Sequence, residues 1–262
     1  MIKKGIVLLT AMLMLTACGA KKNPDDMKLK VASHMMPMTD VIEIAKEELK
    51  KDGYELELVS VSDNTQANTA LNNKEIDANF FQHVPFMEMF NKSQSGTLVG
   101  IQPIYDAIVG FYSKDLKDIK DLKDDAKIAI PNDAVNQARA LLILQDAGLI
   151  TLKDGVKYDA TIKDVTDHKN YQFIEVDLLT LNQAYEEVDL VFNYPTYIKQ
   201  VGLTPSDALI LEKSDGHYAI SLVAREDNKD DAKIQALKKA MTSDAVRKFL
   251  TEEHSATLSP AF

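Results

Sequence analysis

The chain has 262 residues, 45% hydrophobic and 27% charged, with ten Gly and eight Pro. That suits one large or two modest globular domains and excludes collagenous or disordered chains. A net charge of −10 argues against a nucleic-acid partner held through its phosphates. The single cysteine excludes an intrachain disulfide framework and a Cys-based zinc cage.

Lys3 and Lys4 form a short positive segment, and residues 6–15 follow as an apolar run broken only by Thr10. Such a run is too short to span ~30 Å of hydrocarbon and reads as the core of a signal peptide. It ends in Leu15-Thr16-Ala17-Cys18, small residues before a thiol able to form a thioether. This resembles the bacterial lipobox. The resemblance implies that residues 1–18 are a lipoprotein signal peptide and that Cys18 becomes the lipidated first residue. The plain alternative is a secretory signal with an incidental cysteine. Polar residues 19–27 read as a tether. The expected location is the cell membrane, lipid-anchored on the extracytoplasmic face, without a spanning helix.

Beyond the tether, strand and helix patterns alternate. Residues 29–32 read as a strand. Thr39 or Asp40 caps a helix carrying Val41, Ile44, Ala45 and Leu49 at helical spacing, ended by Asp52-Gly53. Residues 54–61 alternate as a half-buried strand. A short helix near 66–71, a strand over 76–81 and a helix over 84–91 follow. Residues 98–113 carry two strand-like runs around Pro103. The charge run 115–125 reads as a solvated connector with one helical turn. A strand over 127–130 leads into a helix opened by Asn132 or Asp133 and ended at Gly148. Strands are expected over 171–176, 189–193 and 218–225, helices over 178–187, 231–241 and 243–253. This order predicts an α/β fold built from βαβ units in two lobes. Ligands of open α/β sheets sit beyond the carboxyl ends of strands, so two facing lobes make a cleft.

Three segments beyond strand ends could carry chemistry. Phe80-Phe81-Gln82-His83 can build an apolar wall with a polar rim. Asn136 and Arg139 are three apart, on one helix face, and offer a carboxylate a dipole and a bidentate fork. Asn193-Tyr194-Pro195 follows a third strand. Residue types alone would also fit core phenylalanines, a capping loop and an exposed arginine. His34-Met35-Met36-Pro37-Met38 has soft copper ligands, but its place beyond the first strand suits a cleft wall equally. No phosphate loop and no Gly-x-Ser-x-Gly is present; no catalytic residue, metal or cofactor is expected.

The runs Asp77-Ala78-Asn79…Phe81-Gln82-His83-Val84-Pro85 and Ala129-Ile130-Pro131-Asn132-Asp133…Asn136-Gln137…Arg139-Ala140-Leu141-Leu142, with the ending Pro260-Ala261-Phe262, resemble the NlpA/MetQ-type substrate-binding lipoproteins of bacterial methionine ABC importers. The resemblance covers about residues 28–262. It implies a two-lobed periplasmic-binding-protein fold (type II-like) with a ligand cleft between lobes and two crossover strands. Lobe 1 would comprise 28–112 plus 219–262 and lobe 2 would comprise 113–218, with passages near Tyr112 and Tyr218. It implies a small zwitterionic amino acid or short peptide as ligand, with Phe81 and His83 at its side chain and Asn136 and Arg139 at its backbone. An ABC permease and its ATPase complex would be the partners, with no enzymatic activity. Keeping Tyr197 and Gly202-Leu203 in register puts Tyr194 at the family's usual Asn position; a one-residue slip would put Asn193 there. A surface adhesin, or an extracytoplasmic hydrolase, is the competing class.

Overall fold

The computed structural model describes residues 27–262; the signal peptide, Cys18 and the tether before Met27 lie outside the described residues. The first stretch contains β1 (Lys28–Ser33), α1 (Met38–Lys51), β2 (Glu55–Ser60), α2 (Asn64–Asn72), β3 (Ala78–His83), α3 (Val84–Gln94) and β4 (Leu98–Ala107). The middle stretch contains β5 (Gly110–Tyr112), β6 (Lys127–Pro131), α4 (Ala134–Asp146), β7 (Thr151–Leu152), β8 (Val165–Asp167), β9 (Gln172–Val176), β10 (Leu190–Asn193), α5 (Pro195–Ile198) and β11 (Ile210–Leu211). The chain closes with β12 (Ile220–Arg225), α6 (Ala232–Met241), α7 (Asp244–Lys248) and β13 (Leu258–Pro260).

The strands form two principal sheets, in the orders β13-β4-β12-β3-β1-β2 and β11-β5-β10-β6-β9. In each, parallel βαβ pairings occupy one side and antiparallel strands the other. Phe80 and Ile104 fill one core, Ile128, Leu141 and Phe192 the other, all fully buried. This is the two-lobed α/β architecture expected. Sheet membership changes after Ala107 and again between Leu211 and Ile220. Gly110–Tyr112, read above as the end of the first lobe, pair instead with β10 and β11 of the second sheet.

A second difference concerns Pro103. It does not divide its segment: β4 runs through it, because Pro103 sits at a register shift against β12 where the ladder is already interrupted. The break falls at Ile108–Val109 instead. Other departures are local. α1 begins at Met38 with Pro37 at its cap, and Asp40 lies in the first turn, where its charge meets the helix dipole. Leu178–Glu186 is a 3-10 helix, not an α-helix, and α7 runs on into a π turn over Phe249–Glu253. β7, β8, β11 and β13 span three residues or fewer, too short to show a period of two.

Candidate ligand-binding cleft

Strands β3, β6 and β10 each run directly into a helix, and these turns meet between the lobes. His83 caps α3, its Nδ1 accepting from the Phe86 N–H at 3.2 Å. Asp133 caps α4. Tyr194 holds the position before Pro195 of α5. The cleft they enclose takes Met38, Phe81, His83 and Phe86 from the first lobe. The second contributes Asn136, Leu178, Tyr194 and Tyr197.

Phe81 reaches the cleft because of a bulge. Gln82 pairs with Ser221 and Phe80 with Leu222, leaving Phe81 as the extra residue of β3. A bulge bends the strand and re-aims that side chain. Asn79 and Gln82 join Asn68 of α2 in a buried amide network, with bonds of 2.5 to 2.9 Å, so Gln82 borders the cleft with its amide already engaged.

Across the cleft, His83 Nε2 lies 3.2 Å from Asn136 Oδ1. Because Nδ1 is an acceptor, Nε2 carries the proton and donates. Asn136 turns its amide nitrogen to the Asp133 carboxylate at 3.0 and 3.1 Å, so its oxygen faces the cleft. That oxygen also accepts the Tyr194 hydroxyl at 2.7 Å. Tyr194 Oη in turn accepts from Arg139 Nη1 at 2.7 Å. Arg139 is 1% exposed. Its Nε donates to Glu212 Oε1 at 2.7 Å and its Nη2 to Oε2, and its guanidinium lies 4.4 Å from the centre of the Tyr218 ring. Burial works against the charge, but Tyr194 and Glu212 outweigh it and raise the Arg139 pKa further. A second pair crosses the cleft, His34 Nε2 to Tyr197 Oη at 3.4 Å.

The structure thus brings Phe81, His83, Asn136 and Tyr194 to one surface. Arg139 stands behind Tyr194, and Asn193 lies beneath it, fully buried, its Oδ1 accepting from the Tyr194 N–H at 3.0 Å. Of the methionine-rich segment, Met38 lines the cleft and Met36 is 61% exposed. Sequence reasoning missed Glu212 and Tyr218. An acid after the apolar run Ala208-Leu209-Ile210-Leu211 looks like any strand end, and nothing local marks it as the partner of an arginine in another element.

Burial, helped by the Arg139 charge, holds the His83 pKa down at about 3, and burial holds His34 at about 4. Their folded-state values lie below the ordinary 6.5, so the stability from the neutral forms is complete above that value. It is lost as pH falls from there toward 4 and 3, with a slope of up to about 1.4 kcal/mol per pH unit for each. We expect the melting temperature to decline more gently in His83→Gln than in wild type between pH 6.5 and 4. Parallel declines would show that His83 does not drive the acid sensitivity.

The NlpA lipoprotein family model matches residues 29–262. The D-methionine-binding lipoprotein MetQ of Escherichia coli K12 is 36% identical, the match covering 89% of this chain and 88% of that one. A crystal structure of a YaeC-family lipoprotein from Enterococcus faecalis superposes with a TM-score of 0.82 at 44% identity, over 90% of this chain and 100% of the other. A nutrient-binding protein from Burkholderia cenocepacia, solved bound to methionine, gives 0.84 at 30% identity, over 90% and 100% of the two chains. With a family match running through both lobes, this chain belongs to the NlpA lipoprotein family.

Proposed function

We propose that the protein is a lipid-anchored, extracytoplasmic substrate-binding protein that captures methionine or a related amino acid or short peptide and hands it to an ABC importer. The observation that carries this reading is the cleft itself. Apolar and soft side chains (Met38, Phe81, Phe86, Leu178) form its walls, and His83, Asn136 and Tyr194 form one polar end. Soft, adaptable contacts suit a thioether, and a few placed polar groups fix orientation. Phe81 and His83 hold the ligand's side chain in this reading. Asn136 and Tyr194 meet its backbone, with Arg139 supporting Tyr194 and Asn193 supporting the turn.

The reading is of capture without turnover. His83 stays neutral at working pH and spends both ring nitrogens on Phe86 and Asn136, so it is no free base. Two chain passages let the lobes hinge about a ligand that touches both. An ABC permease, with its ATPase complex, would dock across the rims of both lobes, and the lipid on Cys18 would hold the protein at the membrane.

Calorimetric titration with methionine, other amino acids and methionine-containing peptides tests the proposal. Micromolar or tighter binding without product formation is expected, with a smaller radius of gyration by small-angle scattering at saturation. Phe81→Ala should weaken apolar ligands more than polar ones. Turnover of a bound ligand, or no binding across the series, would defeat the reading. Separately, Cys18→Ala should move the protein out of the membrane fraction or leave it unprocessed; unchanged lipidation would refute the anchor.

A further inference from the structure

The cleft shows a ligand no formal charge. None of the residues lining it is Asp, Glu, Lys or Arg, and His83 is buried and neutral. The cation bonded to Tyr194 at its polar end, Arg139, is spent. Nε and Nη2 are on Glu212, and Nη1 is on the Tyr194 hydroxyl. That hydroxyl fills the position between Arg139 Nη1 and Asn136 Oδ1, at 2.7 Å from each.

The arrangement also has a polarity. Asn136 cannot turn its amide over, because its nitrogen faces the Asp133 carboxylate, which only accepts. Its oxygen is therefore what the cleft presents, and it already takes protons from His83 and Tyr194. A ligand carboxylate brought here would meet oxygens and no free cation. It would lose its hydration with only neutral side chains to replace it and no counter-ion, which is costly for an ion. An ammonium group fares no better: the Glu212 carboxylate is committed to Arg139, Asp106 is held beside that pair and Ser214, and neither acid is among the lining residues. Uncharged amides fit: Asn64 and Thr196 add neutral polar side chains to the lining.

We infer that Tyr194 sets the ligand class. Its phenol stands where an acid group would otherwise reach Arg139, so the cleft takes an apolar side chain on an uncharged, amide-flanked backbone, as inside a short peptide, in preference to a free amino acid. The inference rests on the binding-protein reading and narrows it.

Titration of the purified lipoprotein with L-methionine and with N-acetyl-L-methionine amide separates the two. In the wild type the blocked compound should bind at least tenfold more tightly. Tyr194→Asn removes the phenol, frees an Arg139 donor and should reverse the order. Methionine binding as tightly as the blocked compound in the wild type would overturn the inference, and this result needs no variant to fold. An unchanged ratio in a folded Tyr194→Asn protein would overturn the role of Tyr194. Silence from both compounds, and from methionine-containing peptides, would instead remove the proposed function and this inference with it.

Discussion

Arg139→Met should destabilise the protein by about 3–5 kcal/mol, the cost typical of breaking a buried ion pair from one side. Arg139 is 1% exposed and the Glu212 side chain 11%, so the substitution leaves a carboxylate with little water to replace its partner. The Tyr194 hydroxyl loses its donor at the same time, and the Tyr218 ring its cation. The double variant Arg139→Met/Glu212→Leu should recover most of the loss, because a well-packed apolar pair has no ion to desolvate. Urea unfolding of the two variants checks this. A single variant within about 0.5 kcal/mol of wild type would assign Arg139 the energetics of a surface residue.

The second large effect is expected at Gly110, the first residue of β5 after the chain changes lobes. It is paired with Asn193 on one side and Leu211 on the other. A Cβ there would collide with the Ile210 carbonyl oxygen and lie 3.1 Å from Ala208 Cβ and Leu211 Cδ2. The colliding atom is backbone, so no rotamer relieves it, and β11 must move away from β5. Gly110→Ala should therefore cost about 1–3 kcal/mol, as overpacking does. β11 leads straight into Glu212, so the displacement reaches the partner of Arg139, and ligand affinity should fall together with the melting temperature. Full affinity at wild-type stability would mean that the passage between lobes absorbs the methyl group.

Much of this molecule is legible along the chain. α1 and α4 declare themselves because their apolar positions recur at helical spacing over three turns or more, and Asp133 is the sort of residue that caps a helix. The places where strands end and helices begin are local events, so the turns bearing Phe81, His83, Asn136 and Tyr194 could be found from sequence and assigned to a cleft. The motifs also held structural residues that composition cannot sort from ligand contacts: Asn79 and Gln82 serve the amide network with Asn68.

The remainder depends on atoms far apart in the chain. Whether Phe81 faces core or cleft follows from a one-residue excess against β12, a property of pairing and not of β3 alone. Where the chain changes lobes follows from which partner β5 finds, and Pro103 misleads because a register shift in its neighbour accommodates it. Arg139 reads as a free fork beside a cleft until Glu212, 73 residues later, closes on it. The type of a charged residue determines that it needs a partner when buried, whereas which partner it meets, and so what remains for a ligand, is decided only when the sheets assemble.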